Sequence, residues 1–399
     1  MNYILKNVDV VDKNKTVKNT NLYIKNALIE KISDEVDENL QSYDCTGLTV
    51  MPSFVDLHAH FRDPGYTHKE TIQTGSKAAV KGGYTLINLM ANTKPIANDM
   101  QVVNYVLDKA KKIGLINIHQ CVSVTNDFDG ESLEHLDKID TKKVKFISDD
   151  GKGIISNLTS YKSMLIAKEK NLTIMTHAED KYLTPIDYRL SEDIITIRDL
   201  YLCHATGARL HLSHVSTIDS LEAIRLAKQH GTNVTCEVTP HHIALYDNEF
   251  KVNPPIRTQK DVYAVIEAIK DGTIDAISTD HAPHTAEEKK NGAPGLVGLE
   301  TAFGVCYSNL VKPNHITLNK LSELISYNPY KIFDGMYEKR GLIKQGYVAD
   351  LALVDINKTY TVDPNNFDSM GKNTPFKDKQ LQGIVVATIK DGEFKYDNR

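Results

Sequence analysis

The sequence predicts an α/β fold: a (β/α)8 barrel of the TIM type with a small β-sandwich domain formed by the N- and C-terminal segments. Two observations carry the barrel. Eight apolar runs alternate with stretches of helical spacing through the middle of the chain, and polar residues able to hold a metal follow nearly every run. A third observation carries the small domain: both ends show short alternating segments in place of that pattern.

In the first 50 residues, apolar segments at 3–11, 22–24 and 28–32 are separated by Asn, Lys and Asp, the texture of small antiparallel strands. They hold too little apolar material for a core of their own. Residues 347–354 and 383–389 look alike, and Asp391-Gly392 is a hairpin signal. The two ends are therefore expected to pair, so that 1–50 and 340–399 make the small β domain and 51–339 the barrel. Between them the apolar runs are 48–57, 85–90, 116–124, 144–147, 172–175, 209–212, 233–238 and 274–277, and helical spacing marks 99–113, 161–170, 218–229 and 261–269. Continuous apolar strands alternating with helices indicate a parallel sheet covered on both faces. Eight units favour a closed barrel over an open doubly wound sheet, for which the phosphate-binding GxGxxG is also missing.

Composition narrows the function. A chain of 399 residues, 41% hydrophobic and 25% charged, can bury a large core. Its net charge of -5, with Lys and Glu scattered, offers no basic field for nucleic acid. No apolar run approaches a membrane span, and the first residues lack the apolar block of a signal peptide, so a cytoplasmic protein with no membrane partner is expected. The cysteines (Cys45, Cys121, Cys203, Cys236 and Cys306) are odd in number and contain no CxxC pair, and they read as buried thiols.

The chemistry lies at the strand ends. Strand 1 ends in His58-Ala59-His60, strand 2 leads to Asn92, strand 4 to Asp149-Asp150, strand 5 to His177, strand 6 to His214 and strand 8 to Asp280. In a (β/α)8 barrel these ends converge on one face. Residues i and i+2 of an extended chain point the same way, so both imidazoles of the HxH pair can grip one ion. His58, His60, Asp150, His177, His214 and Asp280 are thus expected as metal ligands of a hydrolase. Six ligands exceed one tetrahedral site, and a shared carboxylate, Asp150, would bridge two ions. The nucleophile is then hydroxide, not a side chain. His241 and His242 are expected in supporting roles, His281 as support for its turn. His68, His119, His135, His204, His211, His230 and His315 read as ordinary structural or surface residues.

VDLHAHFRDPG at 55–65, MANTKP at 90–95, ISDDGKG at 147–153, THAED at 176–180, LSHVS at 212–216, VNPPIR at 252–257 and STDHAPH at 278–284 together resemble the amidohydrolase superfamily, and within it the dihydroorotases. GLIKQGYVADLALVD at 341–355 is similar to the segment where such enzymes return from barrel to β domain. Many relatives bridge their metals with a carbamylated lysine. This chain has SDDG there, as bacterial type I dihydroorotases do, which by resemblance makes Asp150 the bridge, with Asp149 as runner-up. The resemblance implies zinc, two ions per subunit: His58, His60, Asp150 and Asp280 around one, Asp150, His177 and His214 around the other.

The same resemblance assigns substrate binding to His60, Arg62, Asn92, Asn253, His284, Pro294 and Gly295, with Arg62 pairing a substrate carboxylate. Without the motif, Arg62 reads as a surface salt bridge to Asp63. It implies reversible hydrolysis of (S)-dihydroorotate to N-carbamoyl-L-aspartate in pyrimidine synthesis, with Asp280 as catalytic proton shuttle. It admits a homodimer and an association with aspartate carbamoyltransferase as partners. A different cyclic amidase, such as allantoinase or dihydropyrimidinase, would act on substrates lacking that carboxylate, so Arg62 discriminates. An inactive scaffold homologue would have lost ligands, and none is missing. KYLTPIDYRLSEDIITIRD, following His177, is shorter than the usual bacterial form, so loop 5 is expected to be trimmed.

Overall fold

A computed structural model of the chain describes residues 2–399. It opens with β1 (Asn2–Asp12), β2 (Lys15–Lys25), β3 (Leu28–Ser33), β4 (Gln41–Asp44) and β5 (Thr49–Pro52). The barrel strands follow: β6 (Phe54–Ala59), β7 (Tyr84–Leu89), β8 (Asn117–Gln120), β9 (Phe146–Ile147), β10 (Thr173–Thr176), β11 (Arg209–Leu212), β12 (Val234–Val238) and β13 (Ala276–Ile277). The chain ends in β14 (Leu351–Thr361), β15 (Gln380–Lys390) and β16 (Glu393–Asp397).

The terminal strands share one sheet, ordered β16-β15-β14-β5-β1-β2-β3 with β4 alongside β1. The sheet curls until its β3 edge bonds the residues leading into β14, Ile29 N to Tyr347 O at 2.8 Å and Ala349 N to Ala27 O at 2.8 Å. Tyr3, Leu22 and Ile24 from one half and Leu351, Leu353 and Ile389 from the other then fill a single core. Asp391 (φ 50°) and Gly392 (φ 75°) form the two-residue turn between β15 and β16, both left-handed as a type I′ hairpin requires.

The run 48–57 is not one strand. It divides at Ser53: β5 pairs with β14 and β1, and β6 enters the barrel beside β7. The physical reason is that Ser53 N bonds Asp350 O while Phe54 N bonds Gly83 O, so the two halves are claimed by different sheets.

Parallel pairing runs from β6 to β8 and from β9 to β13. Bridges Val122–Ile147 and Ala59–His281 join the two arcs into a closed barrel. The helices Ile72–Lys81, Met100–Ile113, Asn157–Glu169, Tyr188–Thr206, Ile218–Gln229 and Gln259–Asp271 lie outside it. Caps set their limits. Asp99 accepts from Val102 N and Gly114 (φ 70°) ends the second of them; Ser156 starts the third four residues before its apolar spacing is legible. Inside the barrel, Leu57, Leu86, Cys121 and Met175 pack together, and Phe333 seals the lower end against Phe146, ring centroids 4.8 Å apart. The opposite end, where the strands finish, is left for the site.

Candidate metal centre

Each strand end delivers its polar group to that face. His58 near the end of β6 and His60 one residue past it are both buried, their ring centroids 5.3 Å apart. Asp150, past β9, is the hub. Its Oδ1 lies 3.3 Å from His58 Nε2, 3.4 Å from His177 Nδ1 and 3.8 Å from His214 Nε2, and its Oδ2 lies 3.5 Å from His60 Nε2. Asp280 Oδ1 is 3.1 Å from His60 Nε2 and 3.7 Å from His58 Nε2. The arrangement brings together all six residues expected as ligands. Two donor clusters emerge, His58/His60/Asp280 and His58/Asp150/His214.

The donor set fits cations. His58 Nε2 and Asp150 Oδ1 are buried and lack a hydrogen-bond partner, an arrangement costly for polar atoms unless a positive charge lies between them. Burial would raise the carboxyl pKa of Asp150, but His58, His177 and His214 outweigh it and hold the group well below the carboxylate range. Asp280 behaves likewise: burial is overcome by His60, His58 and His214. Both carboxylates are therefore ionised. His214 (φ 37°), Asp280 (φ 48°) and Arg62 (φ 60°) also adopt left-handed backbone, which non-glycine residues avoid by about 1 kcal/mol or more and which clusters at functional sites.

Asp149, the alternative bridge, is occupied elsewhere. Its Oδ1 accepts from Val124 N at 2.7 Å and Thr125 N at 3.0 Å, so it ties down the loop after β8.

A cavity of about 230 Å³ opens over the cluster. Its wall contains His60, Arg62, Asn92, Asn253, His284, Pro294 and Gly295, every residue expected to bind substrate. Arg62 does not pair with Asp63, whose carboxylate is taken by Lys109 at 2.7 Å; Arg62 Nη2 lies 3.3 Å from His284 Nε2. Burial, then Arg62 and Lys69, push the His284 pKa down to about 4, so that imidazole is neutral. Asn92 is engaged with ligands as well as with the cavity: Oδ1 accepts from His60 Nδ1 at 2.8 Å and Nδ2 donates to Asp150 Oδ2 at 3.3 Å. Gly295 has φ 129°, and a Cβ there would sit 2.8 Å from that of Ala282.

Three supports lie outside the strand-end residues. Glu237 Oε1 lies 3.2 Å from His58 Nδ1; its signal was an acidic residue inside the apolar run 233–238. Glu179 Oε2 accepts from His177 Nε2 at 2.8 Å and Asn253 Nδ2 at 3.0 Å. Asn373, from the segment between β14 and β15, accepts from His284 N at 3.1 Å and donates to Ala282 O and Gly295 O. His211 belongs with this group, its Nε2 3.2 Å from Glu237 Oε2. His242 Nε2 bonds Pro254 O at 3.2 Å, holding the loop of Asn253, and His281 Nδ1 accepts from Gly298 N. All five cysteines are buried free thiols, and Cys236 bonds Thr273 O at 3.2 Å.

A family model described as "Amidohydrolase family" matches residues 49–395. A dihydroorotase of Clostridium botulinum (strain Eklund 17B / Type B) is 49% identical over 400 residues, covering 99% of this chain and 100% of that protein. One of Thermoanaerobacter sp. (strain X514) is 40% identical over 428 residues, with 99% and 97% covered. Among solved structures, an L-hydantoinase (dihydropyrimidinase) from Arthrobacter aurescens superposes with TM-score 0.89 at 24% identity, covering 99% and 96% of the two chains. A dihydropyrimidinase from Brevibacillus agri NCHU1002 gives 0.87 at 22%, covering 100% and 95%. At such identity the structural likeness speaks to the fold alone.

Proposed function

The chain belongs to the amidohydrolase family, and within it we infer a dihydroorotase: it reversibly hydrolyses the cyclic amide of (S)-dihydroorotate to N-carbamoyl-L-aspartate, a step of UMP synthesis. The observation that carries this reading is 49% identity to a dihydroorotase over essentially both full chains.

We assign the cofactor as two zinc ions: His58, His60, Asp150 and Asp280 would hold one, and Asp150, His177 and His214 the other. Imidazole and carboxylate donors suit zinc and other first-row divalent ions. Ions held there would lower the pKa of a bound water and polarise a carbonyl. The chain's own residues do the rest. Arg62, with Asn92 and His284, grips the substrate carboxylate by charge-assisted hydrogen bonds. Asn253, whose Nδ2 is already committed to Glu179, turns Oδ1 towards the ring amide. As water oxygen attacks the ring carbonyl carbon, Asp280 takes the water proton and delivers it to the ring nitrogen while the C–N bond breaks. Ring closure runs the same steps backwards.

Catalysis is thereby assigned to the barrel of residues 51–339, with 1–50 and 340–399 as its support. Among the described residues no helix is long and apolar enough to cross a membrane, which is consistent with the cytoplasmic location we assign.

The test is turnover by the purified, zinc-loaded protein on dihydroorotate, allantoin and dihydrouracil. Dihydroorotate is expected to react fastest, and Arg62→Lys should lose about 10–100-fold in kcat/KM through its bidentate contact. Faster opening of allantoin or dihydrouracil would overturn the specificity, and full metal occupancy without turnover on any substrate would overturn the activity.

A further inference from the structure

The seam between the barrel and the terminal sheet holds a cavity of about 360 Å³, larger than the one over the metal cluster and within the roughly 300–1,000 Å³ usual for small-molecule sites. The rings of Phe303, Tyr360, Phe367 and Tyr396 line it, together with Leu299 and Val385. Its charged groups are already paired. Lys81 Nζ lies 3.2 Å from Glu300 Oε1 and 3.6 Å from Asp368 Oδ2, and Asp363 accepts from Asn365 N at 3.0 Å and Asn366 Nδ2 at 3.2 Å. Burial alone raises the pKa of the Tyr360 phenol. A charged occupant would lose its hydration here without gaining a free counter-ion, so the walls suit an uncharged one. Aromatic faces favour a flat partner that stacks on them.

A short run of chain joins this cavity to the catalytic one. Glu300, whose side chain is buried, accepts from Asp368 N at 2.8 Å and Ser369 N at 3.3 Å. The Ser369 hydroxyl and Met370 N bond Glu70, and Asn373 holds His284 N, Ala282 O and Gly295 O. Phe367, in the wall of one cavity, is therefore six residues from the clamp on the wall of the other. Asn365, Asn366, Asp368 and Met370 along the run are exposed, so few contacts restrain it from outside. An occupant stacked on Phe367 would add a restraint from within.

We propose that the seam cavity binds an uncharged, flat aromatic heterocycle, and that its occupancy steadies residues 366–373 and tightens the His284 side of the catalytic cavity. A segment already ordered by one ligand costs the second less to order, so the coupling is positive. Its expected size is about fivefold or more in apparent affinity.

The chain contains no tryptophan, so indole can be followed by its own fluorescence. Titrated into the full, zinc-loaded protein, it is expected to bind saturably at one site per chain and to be displaced by adenine but not by cyclohexanol. Phe367→Ala should weaken binding by about 2–10-fold through the lost stack. Thr361→Phe, which fills the cavity from an exposed position, should abolish it and supplies the readout if Phe367→Ala fails to fold. Saturating indole should lower the wild-type KM for dihydroorotate about fivefold and leave that of Thr361→Phe unchanged. The KM measurement rests on the assigned reaction and the binding measurement does not, so a failure of either is read separately. Absence of saturable binding, binding that both variants retain, equal displacement by cyclohexanol, or a KM that stays constant or rises overturns the proposal.

Discussion

Glutamine in place of Glu237 alters one fully buried side chain that touches no substrate, yet it should weaken metal binding. Glu237 Oε1 lies 3.2 Å from His58 Nδ1, and Oε2 takes the Ser278 hydroxyl and sits 3.2 Å from His211 Nε2. Burial would raise its carboxyl pKa, but His211 and His58 hold it at about 2, so it is a carboxylate. That charge anchors His58 through Nδ1 and aims Nε2 at the Asp150 carboxylate, where it would be available to a cation. Glutamine preserves the shape but sets an amide N–H₂ against one of the groups that now donates. Carboxylates behind metal-binding histidines are worth about 10–100-fold in metal affinity, which is roughly 1.4–2.7 kcal/mol. Competition with a chromogenic chelator measures it: the Glu237→Gln zinc Kd should rise by that factor, and activity should recover in excess zinc. An affinity within about twofold of wild type would refute the reasoning, since His58 would then keep its orientation without the charge.

Asp150→Ala should abolish turnover and lower the metal content below two equivalents while circular dichroism stays unchanged; two retained ions would move the bridge to Asp149. Asn373→Ala removes three hydrogen bonds to the loop that carries His284 and Gly295. At about 1 kcal/mol each it should cost roughly 3 kcal/mol of stability by urea titration, and it should raise the KM for dihydroorotate more than it lowers kcat. His119 donates from Nδ1 to Asn88 Oδ1 and accepts Lys145 N on Nε2, so burial and Lys145 hold its pKa down at about 3. The unfolded state then binds the extra proton, and this contribution is full above about pH 6.5 and shrinks as pH falls towards 3, by roughly 1.4 kcal/mol per pH unit. Unfolding of His119→Gln between pH 7 and 5 should show a slope shallower by about that amount; an equal slope counts against it.

What the sequence discloses depends on how locally a position is determined. His58 and His60 share a face because a strand alternates, and the other ligands meet because barrel strands end at one rim, so periodicity and order suffice to place them. Asp149 and Asp150 are adjacent and chemically identical; only the tertiary fold, which offers the amides of Val124 and Thr125 to one and four imidazoles to the other, separates them. Asn373 gives no sequence signal, because its side chain's partners lie 78 to 91 residues away and are all backbone atoms. The helix Tyr188–Thr206 is the most instructive case. Its apolar spacing alone would send Leu190, Ile194, Ile197 and Tyr201 to the core, yet the barrel claims the opposite face. Glu192, Asp193 and Asp199 find hydroxyl, amide and guanidinium partners there that stabilise their burial. Periodicity reports that a helix has two unlike faces. Which face turns inward is settled by what the neighbouring elements can satisfy, and here that choice buries the acidic face and leaves the apolar one exposed.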